Sequence, residues 1–144
     1  MPSIKHVLVT GASGKLGVPV CEGLLAAGYH VTGLRHRHPV GVAGVEEVQA
    51  DLADAAAVEK LVLRHDAVIH LATCKEDRHG VIDVSARGTF NLLDAAMRTR
   101  SLARFVLASG DAVHGIYFNP QPVPIREDMP MAAYPGYYPL SQVI

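Results

Sequence analysis

The octapeptide TGASGKLG, residues 10–17, decides the fold, because it directly follows an apolar β-branched run and directly precedes a stretch with helical spacing. A strand, a glycine-rich turn and a helix in immediate succession form the arrangement that binds the pyrophosphate of a dinucleotide. We interpret Gly11 as permitting the tight turn, Gly14 as letting the backbone approach the pyrophosphate, and Gly17 as allowing close helix–sheet packing. The free N–H groups at the helix N-terminus would bind the phosphates. An ordinary βα turn without a ligand is the alternative, and the complete strand–turn–helix context favours dinucleotide binding.

Strand-like and helix-like stretches alternate along most of the chain. The sequence predicts strands at residues 4–10, 30–34, 45–50, 67–71 and 104–108, and helices at residues 16–27, 54–64 and 84–99. Alternation of this kind implies right-handed βαβ crossovers and a mostly parallel sheet that is covered on both faces. We therefore predict an α/β protein with a Rossmann-type doubly wound parallel sheet, five strands in the order 3-2-1-4-5, and ligands at the carboxyl ends of the strands.

The composition excludes several classes of function. The 144 residues are 49% hydrophobic and carry a formal net charge of −1, which predicts one globular domain without the electrostatic footprint of a nucleic-acid or membrane binder. No apolar run approaches the ~20 residues that span a bilayer. Eight histidines are scattered without a metal-ligand spacing, and two cysteines do not form a disulfide framework. We expect a cytoplasmic protein that acts on a small molecule and holds no metal.

Six further motifs follow the glycine turn. They are the Asp-Leu pair at residues 51–52, HLAT at 70–73, GTFNLLDAA at 88–96, VLASGDAVHG at 106–115, PVPIREDMP at 122–130 and YYPLSQ at 137–142. Together with the TGxxGxxG spacing, they resemble the short-chain dehydrogenase/reductase superfamily, especially its extended, epimerase/dehydratase-like branch. The resemblance runs through the whole chain and implies that the domain binds NAD or NADP.

The resemblance assigns cofactor contacts to four places in the chain. These are the turn residues Gly11, Ser13, Gly14, Lys15, Leu16 and Gly17, the adenine-binding pair Asp51 and Leu52, the strand-end residues Leu71, Ala72 and Thr73, and Gln142 near the C-terminus.

The choice between NAD and NADP depends on the end of the second strand. NAD-using relatives have an acidic residue there that binds the ribose, whereas this chain has Arg35 at that position, Arg37 nearby and Lys15 in the glycine turn. A guanidinium can pair bidentately with a 2′-phosphate, and the segment offers no carboxylate to a 2′-hydroxyl. We favour NADP over NAD, with a solvated basic loop as the alternative.

The catalytic positions of the family are only partly matched. The resemblance implies that Tyr138 is the proton donor or acceptor, but the lysine expected four residues later is Gln142, which can hydrogen-bond the ribose and supplies no charge. The family's serine position falls on Gly110 and its asparagine position on Ser85. Ser109, one residue away, is the candidate to orient the substrate, with Asp111 or Ser85 assisting.

Two hypotheses of function follow from this pattern. The first is an NAD(P)-dependent oxidoreductase or epimerase/dehydratase that transfers a hydride to or from a sugar-like or other hydroxyl/carbonyl substrate, with Tyr138 as acid/base. The second is a redox sensor or scaffold that binds the dinucleotide but has lost the proton relay. A third possibility is a structural or interaction fragment that binds no cofactor, and the glycine turn and Asp51 argue against it. We expect residues 1–144 to be the truncated cofactor domain of a longer family member, without its substrate region, and to form a homodimer or another oligomer.

Overall fold

A computed structural model describes residues 3–75, 77–116, 120, 124–132 and 135–143. Its centre is a parallel sheet of five strands: β1 (His6–Thr10), β2 (His30–Arg35), β3 (Glu46–Gln49), β4 (Ala67–His70) and β5 (Arg104–Leu107). The strand order is β3-β2-β1-β4-β5, and every neighbouring pair is parallel. This order confirms the predicted doubly wound Rossmann-type fold.

Helical segments connect the strands. They are α1 (Gly17–Ala26), α2 (Ala55–Val62), the single turn α3 (Arg78–Gly80), a π-helical segment (Val81–Arg87), α4 (Gly88–Arg98), a 3₁₀ turn (Asp111–His114) and α5 (Tyr137–Val143). The carboxylate of Asp54 caps α2 by accepting hydrogen bonds from the N–H groups of Ala56 and Ala57.

Helices cover both faces of the sheet, as predicted. On β1 the side chain of Leu8 enters a core that α2 and α4 complete, whereas Val7 and Val9 enter a second core under α1. This alternation is the two-residue period of a strand that is buried on both faces. All three of these side chains are at most 2% exposed, so β1 forms the centre of the molecule.

The helix that precedes β5 is longer than the sequence predicts. The predicted start is residue 84, whereas the backbone is helical from Arg78 onward and passes through the π-helical segment before α4. Gly80 and the β-branched Val81 and Ile82 have low helix propensity, which explains why the local pattern missed this part. Packing against α5 supplies the stabilisation that propensity lacks.

No helix among the described residues is both long and apolar enough to cross a bilayer. In the same part of the chain, no group of three or more His, Cys, Asp or Glu side chains is placed to hold a metal ion.

Candidate active site and cofactor cradle

The glycine turn packs closely against its own backbone and that of the loop after β4. Gly11 has a φ of +68°, and a Cβ there would lie 2.7 Å from the backbone N of Ala72. A Cβ at Gly17 would lie 2.1 Å from the carbonyl oxygen of Gly11. Both positions therefore require glycine, and Gly14 closes the turn by donating its N–H to the same Gly11 oxygen at 3.0 Å.

The outer part of the turn is open to a ligand. Helix α1 begins at Gly17 without a side-chain cap, and in its first turn Val18 and Val20 donate their N–H groups to the carbonyl oxygens of Gly14 and Leu16. Ser13, Gly14, Lys15 and Leu16 are all exposed, and Leu16 is 58% exposed although it is apolar. The outer part of the turn thus presents a cation, Lys15, and an apolar side chain, Leu16, to solvent.

The predicted adenine-binding pair is held in place by α4. The Nδ2 of Asn91 donates to the carbonyl oxygen of Leu52 at 2.8 Å, and a Cβ at Gly88 would lie 2.7 Å from the Cβ of Leu52. Asp51 is exposed and uses one carboxylate oxygen to accept from the N–H of Ala53 at 2.9 Å. Asn91 lies in the GTFNLLDAA motif, but the sequence alone did not predict its role, because that role depends on a contact between separate parts of the fold.

A buried hydrogen-bond chain connects the glycine turn to the helix before β5. Thr10 Oγ1 lies 2.6 Å from His70 Nδ1, and His70 Nε2 lies 2.8 Å from Thr89 Oγ1. Thr89 donates its hydroxyl hydrogen to the carbonyl oxygen of Ser85, so His70 must donate from Nε2 and accept at Nδ1. Burial lowers the pKa of His70 to about 4, which keeps this imidazole neutral.

Ser85, predicted to assist catalysis, is used in the structure to hold the strand-end loop. Its Oγ accepts from the N–H of Cys74 at 2.9 Å and lies 3.2 Å from Thr73 Oγ1. The side chain is 3% exposed. Its geometry therefore positions the loop after β4, where Leu71, Ala72 and Thr73 were predicted to contact the cofactor.

The structure brings Tyr138 to the end of β5. A Cβ at Gly110 would lie 3.2 Å from the hydroxyl oxygen of Tyr138, so the tyrosine and the family's serine position are adjacent. Ser109 and Asp111 flank Gly110 and are exposed. Gln142 lies one helical turn after Tyr138 on α5 and is half-buried.

Two cations that sequence reasoning did not single out lie on the tyrosine pair of α5. The ammonium of Lys75 lies 5.0 Å from the centroid of the Tyr138 ring, and the guanidinium of Arg78 lies 5.9 Å from that of Tyr137. Cation–π contacts of this kind contribute about 0.5–2 kcal/mol each. No local motif marks these residues, because their neighbours come from a distant part of the chain.

The surroundings of Arg35 correct one expectation. The sequence offers no carboxylate at the end of β2, but the fold places Glu47 of β3 there, with its Oε2 3.5 Å from Arg35 Nε. The other oxygen of Glu47 accepts from the N–H groups of Val40 at 2.9 Å and Gly41 at 3.2 Å. The basic end of β2 is therefore paired with an acid from the neighbouring strand.

Glycine turn, adenine pair, strand-end loop and tyrosine all follow the carboxyl ends of parallel strands, which is the ligand-binding edge of a Rossmann fold. The sequence of residues 7–142 matches the NAD dependent epimerase/dehydratase family, and the chain belongs to that family.

Individual relatives agree with this assignment. The chain is 31% identical over 147 residues to a 2-alkyl-3-oxoalkanoate reductase of Shewanella oneidensis, a match that covers 98% of this chain and 37% of that protein. It is 35% identical over 142 residues to a uronate dehydrogenase of Agrobacterium fabrum, covering 96% of this chain and 52% of that protein.

A solved structure agrees as well. A short-chain dehydrogenase/reductase superfamily protein of Agrobacterium tumefaciens, determined with bound NAD, is 33% identical and superposes with a TM-score of 0.85 over 96% of this chain and 42% of that one. The chain thus spans between about a third and half of the length of these relatives.

Proposed function

We propose that this protein binds NAD(P) at the carboxyl edge of its sheet and is the cofactor domain of an oxidoreductase or epimerase/dehydratase that acts on a hydroxyl or carbonyl substrate. The observation that carries this proposal is the meeting of Tyr138 and Gly110 at the same sheet edge as the glycine turn. The residues present fit a dinucleotide, since the outer part of the glycine turn (Ser13, Gly14, Lys15 and Leu16) is exposed and includes a cation that can face a phosphate.

When bound, the nicotinamide would supply or accept the hydride. The chain's own residues would move the proton: Tyr138 would donate it to, or take it from, the substrate oxygen. Ser109 is our candidate to orient that oxygen, because Gly110 has no hydroxyl, with Asp111 assisting directly or Ser85 assisting through the loop after β4 that it holds. Gln142 would hydrogen-bond the ribose as a neutral substitute for the family's lysine.

A cofactor-binding module without turnover, such as a redox sensor, is the alternative. The neutral Gln142 and the glycine at 110 are the observations that favour it. The enzymatic names of the relatives favour the first hypothesis.

We further propose NADP rather than NAD as the cofactor. Arg35 ends β2, Arg37 follows it and Lys15 lies in the glycine turn, and a guanidinium binds a phosphate bidentately. Arg35 retains donors beyond the Nε that faces Glu47.

A single titration tests the cofactor proposal. The 144-residue chain is titrated with NADPH and with NADH by calorimetry, and we expect NADPH to bind more tightly. Failure of both dinucleotides to bind would contradict the proposed function, and tighter binding of NADH would contradict the NADP assignment alone.

We also propose that the substrate carries a carboxylate. Lys75 and Arg78 approach the tyrosine pair, and within the described part of the chain neither forms an ion pair. The names of two relatives, an oxoalkanoate reductase and a uronate dehydrogenase, denote carboxylate substrates of those proteins.

A matched pair of probes tests the carboxylate. In the presence of NADP⁺, we expect the wild-type chain to bind D-glucuronate more tightly than D-glucuronamide, which differs only in its missing charge. Lys75→Met should weaken binding of the acid about tenfold through the loss of a charge-assisted hydrogen bond, and should leave the amide unaffected. Lys60→Met, on the exposed part of α2, is the control. Equal affinities of the wild type for acid and amide would contradict this assignment, and an equal loss for both probes in Lys75→Met would indicate a structural role.

The oligomer we propose is a homodimer that forms through α4. Phe90, Leu93 and Met97 follow one another at helical spacing on its outer face and are 67%, 38% and 88% exposed. An exposed apolar stripe of this kind is typical of a protein–protein contact.

A further inference from the structure

We propose that Glu47 controls which cofactor the site accepts, by holding Arg35 in an ion pair and presenting its own carboxylate to the ribose. This inference rests on the cofactor site proposed above. The preference between NADPH and NADH would then depend on both Glu47 of β3 and Arg35 of β2, and not on Arg35 alone.

The two carboxylate oxygens of Glu47 have separate tasks. Oε1 accepts hydrogen bonds from the N–H groups of Val40 and Gly41, and so anchors the loop that follows β2. Oε2 faces Arg35 Nε at 3.5 Å. The interaction with Arg35 therefore depends on the negative charge of Glu47. The hydrogen bonds from Val40 and Gly41 need only an acceptor oxygen, which a neutral side chain could also supply.

Packing around the loop keeps this arrangement in place. Val40 is 4% exposed, and a Cβ at Gly33 of β2 would lie 2.9 Å from the side chains of both Val40 and Val45. The loop between β2 and β3 thus folds back over Gly33, next to Ala12 of the glycine turn. Arg35 and Glu47 lie at the border of this packed region, with side chains 34% and 30% exposed.

Arg35 and Glu47 should have different effects on the binding of a ribose with a 2′-phosphate and of one with a 2′-hydroxyl. A 2′-phosphate gains from the guanidinium of Arg35 but is repelled by the carboxylate of Glu47, whereas a 2′-hydroxyl can donate a hydrogen bond to that carboxylate. A unit charge about 7 Å away at an effective dielectric of about 20 changes the affinity for a phosphate by roughly tenfold or more after screening by salt. Glu47 should therefore restrain the preference for NADPH that Arg35 creates.

Glu46 offers a matched control. It is the neighbouring residue on β3, it carries the same charge, and it is exposed without a hydrogen bond to the loop or an ion pair to Arg35 among the described contacts. A general effect of removing one negative charge from this strand should appear equally in Glu46→Gln.

The experiment measures the dissociation constants of NADPH and NADH by calorimetry for the wild type, Glu47→Gln, Glu46→Gln and the double variant Arg35→Met/Glu47→Gln. Glutamine keeps an acceptor for Val40 and Gly41, so Glu47→Gln should fold like the wild type, which a thermal melt checks. We expect Glu47→Gln to raise the NADPH-over-NADH affinity ratio about tenfold and Glu46→Gln to leave it unchanged. The double variant should lose the gain, because it also lacks the guanidinium that attracts the 2′-phosphate.

The outcomes separate this inference from the proposals on which it rests. A ratio in Glu47→Gln within threefold of the wild-type ratio overturns the role of Glu47, as does an equal rise in Glu46→Gln or a gain that survives in the double variant. Binding of neither dinucleotide by the wild type overturns the proposed function, and the role of Glu47 with it. Tighter binding of NADH by the wild type together with the tenfold shift in Glu47→Gln overturns only the NADP assignment and supports the role of Glu47.

Discussion

His70 is the residue at which the site and the stability of the fold are most directly connected. It lies at the end of β4, between Thr10 of β1 and Thr89 of α4, and it is 2% exposed. A protonated imidazole would have to donate from both nitrogens, whereas the hydroxyl hydrogen of Thr10 is directed to Nδ1 in the neutral state. We therefore expect protonation of His70 to break this hydrogen-bond chain and to destabilise the folded state as the pH falls.

The first prediction concerns the pH dependence of stability. Burial lowers the pKa of folded His70 from 6.5 to about 4, so the unfolded chain binds the proton more readily. The free energy of unfolding is fully present above about pH 6.5 and falls as the pH drops toward 4, with a loss of about 3 kcal/mol from this residue at pH 4. Urea unfolding at a series of pH values measures the loss.

His70→Asn, which cannot take up this proton, should reduce the pH dependence between 6.5 and 4, although it also lowers stability at pH 7 through the lost packing. His65, whose pKa is lowered chiefly by burial, adds a loss of the same sign and remains in the variant. His38→Asn, at an exposed position, is the control and should retain the wild-type profile. An unchanged slope in His70→Asn would show that the acid sensitivity arises elsewhere.

At the scale of one element, α1 contains two glycines, of which one has no room for a side chain and the other has free space. Gly17 at its start has the carbonyl oxygen of Gly11 in the place of a Cβ, whereas Gly23 in its middle has no atom within 4 Å of that position. The first glycine is required by the turn, and the second only lowers the helix propensity of α1.

The second prediction compares these two positions. Gly17→Ala should lower the free energy of unfolding by about 2–4 kcal/mol and abolish dinucleotide binding, because the turn must open to admit the methyl group. Gly23→Ala should raise it by about 0.5–1 kcal/mol and leave binding unchanged. Chemical unfolding and calorimetric titration with NADPH give both quantities. Similar effects of the two substitutions would refute this assignment of the turn.

At the scale of the whole molecule, the sheet order was predictable because it follows from local patterns and the handedness of crossovers. The glycine turn and the Asp54 cap were predictable for the same reason, since each interaction lies within a few residues. The pairs His70–Thr89, Asn91–Leu52 and Arg35–Glu47 were not predicted, because each joins separate elements of the chain. Sequence patterns predict the residues of the candidate site, whereas the contacts that join separate elements are set by the fold.

The third prediction concerns assembly through the outer face of α4. Phe90→Glu combined with Met97→Glu should convert a dimer into a monomer, because the two exposed apolar side chains become charged at the contact. Analytical ultracentrifugation measures the mass. Lys60→Glu on α2 is the control and should remain dimeric. A wild-type chain that is monomeric at all concentrations would contradict the dimer proposal.

The approach of Tyr138 to Gly110 has a consequence for installing a hydroxyl at this position. A side chain at Gly110 would meet the phenol oxygen at 3.2 Å from its Cβ, a separation that small shifts of the tyrosine can accommodate. Gly110→Ser would therefore bring a hydroxyl next to the phenol oxygen on a backbone that is already in place.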